Sequence, residues 1–293
     1  MKRILVLLIV IAFSMCNALA NVPTKVAPKL WEGRLNFQPL LANPFEGRVG
    51  AMYQFSDNKL RLDIGNSFDL IRIGNNQTIG ADFFTFTRLR SEGNFKFPVE
   101  TSDYFFGINV TKEYSILKQQ PVDENSEYSD PLNRSEYYKA AYRLRLAHIS
   151  SHLVDGLVDT SGLLKQHPFV YSREFADLIG TLEWKNLRTY AGLTFVWATQ
   201  PRDAERLIPQ LGIEYKHKLS RRFYASLAYD FKLIGISDKY IGTHAAQGGI
   251  SYLSEFEMPA LSLNIYGYHG RSMHGMFYKE KDSYIGTGFQ FLF

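Results

Sequence analysis

The sequence predicts an all-β protein: an antiparallel transmembrane β-barrel of about twelve strands, with ten or fourteen strands as alternatives. Three observations predict it. Apolar and polar residues alternate through most of the chain, an export signal stands at the N-terminus, and 15% of the 293 residues are aromatic. Alternation with a period of two is typical of strands with one apolar face. The mean hydropathy of −0.18 is too polar for a helical membrane protein, and the plentiful apolar residues exclude a disordered chain.

Residues 1–20 have the pattern of a secretory signal peptide. A basic pair is followed by an apolar run too short for a transmembrane helix, and small residues then permit cleavage after Ala20. Cleavage would remove Cys16, the single cysteine of the chain. We therefore expect an exported mature protein without a disulfide bond or a thiolate metal site.

The remaining chain divides into two parts. We expect residues 21–48 to form a periplasmic N-terminal segment and residues 49–293 to form the outer-membrane barrel. The formal net charge is only +4, and no basic helix or basic cluster accompanies it. Nucleic acid is therefore excluded as a partner.

The strands are predicted from alternation, which is clearest in residues 59–66 and 261–268. The predicted strands lie near 49–55, 59–66, 77–90, 101–114, 136–151, 171–184, 187–198, 207–218, 221–234, 243–253, 260–270 and 283–293. Most are ten residues or longer, the length that a tilted strand needs to cross a bilayer. A closed barrel is therefore favoured over a soluble sandwich.

The chain ends in an alternating strand whose last residue is Phe293. This ending resembles the C-terminal strand by which bacterial outer-membrane barrels are recognised for insertion. We therefore expect the protein in the bacterial outer membrane, with membrane lipids and the barrel-assembly machinery as its partners. If the last strand runs towards the periplasm, the longer connections lie outside the cell, as is usual. The polar stretch 118–134 is the exception, because it would be a long periplasmic loop.

The fifth predicted strand places its polar residues on two different faces. Arg143 and Arg145 share one face, which must be the lumen, where carboxylates such as Asp177 are expected to pair with them. The same period places His148 and Ser150 on the lipid face, where the strand reaches the outer surface. Polar residues on that face are costly near the bilayer centre and less costly at the interface.

Glu174 on the sixth predicted strand shares the lipid face. If the connecting loop is symmetric about Ser161, Glu174 lies directly opposite His148, at a distance where side chains meet. His, Ser and a carboxylate together form an acyl-transfer constellation: Ser150 is the candidate nucleophile, His148 the base, and Glu174 the acid that orients it. The competing interpretation is that His148 is an interfacial residue, hydrogen-bonded at the base of the loop.

Three residues near the same loop, His152, Asp155 and Asp159, are weak candidates for binding a cation such as Ca²⁺. Scattered loop carboxylates are more commonly solvated. No phosphate-binding loop, zinc motif or dinucleotide fingerprint is present in the sequence.

The signal peptide, the twelve strands and the lipid-facing His-x-Ser resemble the outer-membrane phospholipase A barrels, and the lipid A deacylase barrels likewise place His-x-Ser and Glu on the lipid side. The resemblance implies hydrolysis of acyl esters of outer-leaflet lipids. The chain differs from the phospholipases in having Glu174 in place of their Asn.

The overall sequence resembles more closely the bacterial barrels with the domain of unknown function 1207. The matching segments are 38–44, 101–107, 148–153, 171–174 and 268–275. This resemblance supports the barrel and implies no established activity. Two hypotheses for function follow: a lipid-facing acyl-ester hydrolase acting on phospholipid or lipid A, and a non-enzymatic structural barrel or small-solute channel.

Overall fold

The structure is a computed structural model that describes residues 35–119, 135–159, 161–220, 222–253 and 259–291. The predicted signal peptide and Phe293 lie outside these residues. In the part of the chain described, no helix is both long and apolar enough to cross a membrane.

Within these residues, twelve strands form one antiparallel sheet that closes on itself. Each strand pairs with the next along the chain, and the last pairs with the first. The strands are β1 (Val49–Gln54), β2 (Lys59–Ile73), β3 (Gln77–Arg90), β4 (Val99–Gln119), β5 (Ser135–Leu153), β6 (Tyr171–Trp184), β7 (Leu187–Gln200), β8 (Leu207–Lys218), β9 (Phe223–Ile236), β10 (Lys239–Leu253), β11 (Pro259–Arg271) and β12 (Lys281–Phe291). The predicted twelve-stranded barrel is confirmed.

The wall of the barrel has an apolar outer face and a polar inner face. Exposed apolar side chains on the outer face include Phe106, Ile108, Leu146, Leu178, Leu182, Leu211, Leu227, Leu263, Ile265 and Ile285. Buried charged or amide side chains between them include Asp82, Asn109, Arg143, Arg145, Asp177, Gln210, Glu214 and Asp230. Because the sheet is closed, these buried polar residues point into the lumen. A lipid-facing exterior with a polar interior is the pattern of transmembrane barrels.

Two strands extend further than alternation predicts. β2 continues to Ile73 instead of ending near Gly65. Gly65 adopts a φ of 135°, and a Cβ there would lie 2.2 Å from the Phe83 carbonyl oxygen. The glycine therefore permits close approach of β3 and does not end the strand. β4 likewise pairs with β5 as far as Gln119 and Ser135, which shortens the predicted loop; residues 120–134 lie outside the described chain.

The end of the predicted periplasmic segment lies inside the barrel. From Leu35 to Arg48 most residues are buried, and their hydrogen-bond partners belong to strands around the whole wall. The backbone N–H of Asn36 donates to the Asp69 carboxylate at 2.6 Å, and the backbone N–H of Leu41 donates to the Glu214 carboxylate at 2.6 Å. Residues 35–48, here called the plug segment, thus correct the predicted placement. Lumenal carboxylates and arginines provide the partners that its backbone would otherwise find in water.

The loop between β11 and β12 also folds into the lumen. The His274 Nδ1 lies 2.7 Å from Asp103, the Gly275 amide donates to Asp103 at 2.7 Å, and the Met276 amide donates to Ser151 at 3.1 Å. Its buried side chains pack on the rings of Phe84, Phe86 and Phe105 and on Ile149. The interior is therefore occupied by the plug segment and by this loop.

Candidate functional site

The site lies on the outer face of β5 and β6, near the barrel end that carries the longer loops. Residues of β5 alternate between buried and accessible from Ala141 to Ser151. This places His148 and Ser150 outside, as predicted, and it also places His152 outside and Ser151 inside. His148 stands five residues before the end of β5 at Leu153.

His148 is hydrogen-bonded to Glu174. The two residues are directly opposite each other in the β5–β6 register, and the His148 Nδ1 lies 2.9 Å from the Glu174 Oε1. Both side chains are partly accessible, at 39% and 35%. The predicted cross-strand pair is thus confirmed, and loop symmetry was sufficient to predict the register.

The carboxylate selects the tautomer of the ring. A carboxylate accepts hydrogen bonds, so the Nδ1 facing it carries the proton, and in the neutral ring Nε2 is then unprotonated. On the other side of His148, Phe106 occupies the opposing β4 position, with ring centroids 6.4 Å apart. The imidazole is therefore held between an acid and an aromatic ring, with Nε2 available as a base.

Ser150 lies on the same outer face, about 6.6 Å from His148 along the strand at Cα. Within the described chain, no hydrogen bond joins the Ser150 hydroxyl to His148. The structure therefore shows the acid–base half of the predicted constellation. Completing it requires the Ser150 hydroxyl to come within hydrogen-bonding distance of the His148 Nε2, and catalytic hydrogen bonds are commonly long before a substrate binds.

Ser172 is a further residue at this site that sequence reasoning missed. It is the register partner of Ser150, and cross-strand partners have Cβ atoms about 4.5–5.5 Å apart. The sequence could have indicated it, because Ser172 is two residues from Glu174 on β6 and therefore lies on the same face of the strand. The hydroxyl groups of Ser150 and Ser172 therefore share this part of the outer wall with the His148 imidazole.

The predicted cation ligands do not gather into a site. No group of three or more His, Cys, Asp or Glu residues capable of holding a metal occurs in the described ranges. His152 packs edge-on against Tyr104, with centroids 5.6 Å apart. The Asp159 carboxylate accepts hydrogen bonds from the Ser161 hydroxyl and the Leu163 amide, which lower the pKa of Asp159. Asp159 therefore stabilises its own turn.

A second outward histidine cluster lies on the opposite side of the barrel. His244 on β10 and His269 on β11 are register partners, and the Tyr229 hydroxyl lies 2.6 Å from the His244 Nδ1. Ser283 is the partner of His269 on β12. These residues border an outward groove of about 600 Å³. No carboxylate within hydrogen-bonding distance of either ring is found in the described chain, so His148 differs from them by its acid partner.

The fold resembles that of solved outer-membrane phospholipases. Outer membrane phospholipase A from Escherichia coli aligns over 85% of this chain and 94% of its own, with 14% identity and a TM-score of 0.51. The Salmonella typhi outer membrane phospholipase dimer with bound calcium aligns over 86% and 93%, with 13% identity and a TM-score of 0.51. At these identities the likeness shows a shared barrel fold.

No curated protein matches the chain. The family described as "Protein of unknown function (DUF1207)" matches residues 13–293, which is nearly the whole sequence.

Proposed function

Because this chain belongs to the DUF1207 family and folds as an outer-membrane-type barrel, we propose that it hydrolyses acyl esters of the lipids around its wall. The observation that carries the proposal is the hydrogen bond between His148 and Glu174 on the outer face. His148 is the general base, Ser150 the nucleophile and Glu174 the residue that orients His148.

The wall beside the site suits acyl chains. Towards the middle of the barrel, the exposed side chains of Phe106, Ile108 and Leu146 form an apolar surface on β4 and β5. Towards the long-loop end, His152 and Tyr104 are polar or amphipathic. A lipid lying along this wall would place its ester carbonyl groups between the two regions, at the level of Ser150. Outer-leaflet phospholipid and lipid A both have acyl esters at such a boundary.

The reaction proceeds in two halves. His148 Nε2 takes the Ser150 proton as the Ser150 oxygen attacks the acyl carbon. The carbon–oxygen bond to the alcohol then breaks, and Nε2 returns the proton to the departing alcohol oxygen. Water next attacks the acyl-serine, Nε2 removes its proton, and that proton returns to Ser150 as the fatty acid leaves. Glu174 stabilises the imidazolium in both halves.

Ser172 has a separate role in this proposal. Its hydroxyl lies opposite Ser150 and donates a hydrogen bond to the oxyanion that forms on the attacked carbonyl. One such donor contributes about 10²–10³-fold to the rate in other acyl-transfer enzymes.

The experiment is fatty-acid release by the refolded protein from phosphatidylethanolamine and, separately, from lipid A. Wild-type protein should release fatty acid; Ser150→Ala should lose at least about 10³-fold, and Ser172→Ala about 10²-fold. Both substrates are assayed with Ca²⁺ and with a chelator, because the structurally similar Salmonella typhi phospholipase was solved with bound calcium. Ser283→Ala and His269→Ala are matched controls, since they remove an outward serine and an outward histidine that lack a carboxylate partner, and they should retain full activity.

Three results would contradict the proposal. Wild-type protein that releases no fatty acid from either lipid would favour the non-enzymatic barrel. Activity that survives in Ser150→Ala would exclude Ser150 as the nucleophile. If fatty-acid release is lost in Ser172→Ala and retained in Ser150→Ala, Ser172 and not Ser150 is the nucleophile.

A further inference from the structure

A small chamber lies inside the barrel, behind the strands that carry the candidate site. Its volume is about 80 Å³, and it lies between the plug segment, represented by Asn43 and Phe45, and the β11–β12 loop, represented by Ser272 and Met273. Since one water needs at least about 10–15 Å³ of such volume, the chamber has room for several waters or a small polyatomic ion.

The charged residues that line the chamber are mainly cationic. Four cationic side chains, those of Arg145, Arg173, Lys232 and Arg271, face it, whereas Asp177 is the single carboxylate among its described lining residues. Most of the uncharged lining residues are apolar, and Asn43, Thr194, Gln210 and Ser272 are polar. A low-polarity wall strengthens the field of each charge.

One of the four cations is already neutralised. The Arg145 guanidinium lies 3.0 Å from Asp82, 3.4 Å from Glu46 and 3.6 Å from Asp177. These three carboxylates are therefore committed to Arg145 and to its neighbour Arg143, which itself binds Glu46 at 2.7 Å.

The other three cations form no salt bridge within the described chain, although Asp230, Glu46 and Asp177 lie within electrostatic range of Lys232. In the described chain, no carboxylate oxygen lies within 4.0 Å of Arg173, Lys232 or Arg271. The nearby Asp230 carboxylate instead accepts hydrogen bonds from Tyr190 and from a lumenal glutamine.

Neutral partners hold these three side chains in place. The Lys232 amine donates to Asn43 at 2.6 Å, Arg271 donates to the Lys279 carbonyl at 2.8 Å, and Arg173 lies 5.1 Å over the ring of Tyr171. The Nε atoms of Arg173 and Arg271 are buried without a hydrogen-bond partner. Lys232 is buried and Arg173 and Arg271 are half-buried. Buried donors without an acceptor are costly, so the arrangement is suited to an anion that supplies the missing acceptors and a counter-charge.

We propose that this chamber binds a phosphate-sized oxyanion, held by Arg173, Lys232 and Arg271. Guanidinium groups bind phosphate and carboxylate oxygens through paired, charge-assisted hydrogen bonds. The anion joins three parts of the molecule, because Arg173 lies on β6, Lys232 lies on β9 against the plug segment, and Arg271 ends β11 at the loop. Binding does not depend on hydrolysis at the outer wall.

The test is calorimetric titration of the refolded protein, in neutral detergent, with inorganic phosphate at constant ionic strength. Wild-type protein should bind phosphate, and its thermal unfolding midpoint should rise with phosphate concentration. Arg173→Gln and Arg271→Gln should each weaken binding by roughly tenfold or more. Lys59→Gln is the control, because Lys59 pairs with Asp57 at the barrel surface and should leave binding unchanged.

Two further measurements separate loss of the charge from poor refolding, and free phosphate from a lipid phosphate. Arg271→Lys retains the charge, and it should retain more binding than Arg271→Gln even if the glutamine variant refolds poorly. Short-chain phosphatidic acid tests a lipid phosphate in place of the free ion, and binding that Arg271→Gln weakens would identify a lipid headgroup as the source. No phosphate binding by wild-type protein, or equal binding by wild type and both glutamine variants, would overturn the proposal.

Discussion

His148 is distinguished from the other outward histidines by the carboxylate beside it. Glu174 lies 2.9 Å from its Nδ1, whereas the His244 ring faces the Tyr229 hydroxyl. A carboxylate stabilises the imidazolium that forms when the ring takes a proton, and a phenol does so far less. The chemistry of the wall therefore depends on one acidic side chain.

Replacing Glu174 with glutamine tests directly whether the negative charge of this side chain is needed. Glu174→Gln keeps the size of the side chain but removes the charge, and its amide can face Nδ1 with either a donor or an acceptor. We expect kcat for fatty-acid release to fall by about 10²–10⁴-fold with little change in KM. A Glu92→Gln variant, which alters an exposed ion pair elsewhere, serves as the control. An unchanged kcat in Glu174→Gln would show that His148 works without an acid.

The sequence predicted much of this site for a simple physical reason. Side chains on a strand alternate between two faces, so parity alone placed His148, Ser150 and Glu174 outside, and loop symmetry about Ser161 paired the histidine with the acid. The rotamer of Ser150 could not be predicted, because parity fixes the face of a side chain and not the direction of its hydroxyl.

At the scale of elements, the plug segment does most to fill the lumen. Glu46 is fully buried and binds Arg143 through both carboxylate oxygens, at 2.7 and 2.8 Å. Its second partner is Arg145, at 3.4 Å. One acidic residue of the segment thus neutralises arginines that line the barrel wall.

Removal of this carboxylate should destabilise the barrel. Glu46→Ala leaves Arg143 with Asp177 at 3.9 Å as its remaining acidic contact in the described chain, and an uncompensated buried charge costs about 3–5 kcal/mol. We expect a loss of that size in the free energy of unfolding, measured by urea denaturation in lipid vesicles. Glu92→Ala breaks the partly exposed pair with Arg90 and should cost no more than about 1 kcal/mol. Equal losses in the two variants would contradict the structural role of the segment.

The position of the segment could not be predicted from the sequence. Residues 35–48 do not alternate, and their partners are distant in the chain: Glu214, which accepts from the Leu41 amide, is 173 residues away. The same limit applies to the β11–β12 loop, whose contacts with Asp103 and Ser151 span more than a hundred residues. Alternation identifies a wall, but it carries no information about what fills the lumen.

For the whole molecule, a closed sheet separates two chemistries. The inner face and its two inserted segments form a charged, hydrogen-bonded interior, and the outer face is mostly apolar. With the lumen occupied, lipid-directed chemistry can only take place on the outside of the wall. The central claim is therefore that an outward serine beside His148 is a nucleophile.

Covalent labelling tests this claim most directly. The refolded protein in lipid-containing micelles is treated with a fluorophosphonate, which loses fluoride when an activated serine attacks its phosphorus, and the labelled residue is located by mass spectrometry of peptides. We predict a single label on Ser150 that is lost in His148→Ala and retained in His269→Ala. A label on another serine, or no label in protein whose barrel is shown to be folded, would contradict the account.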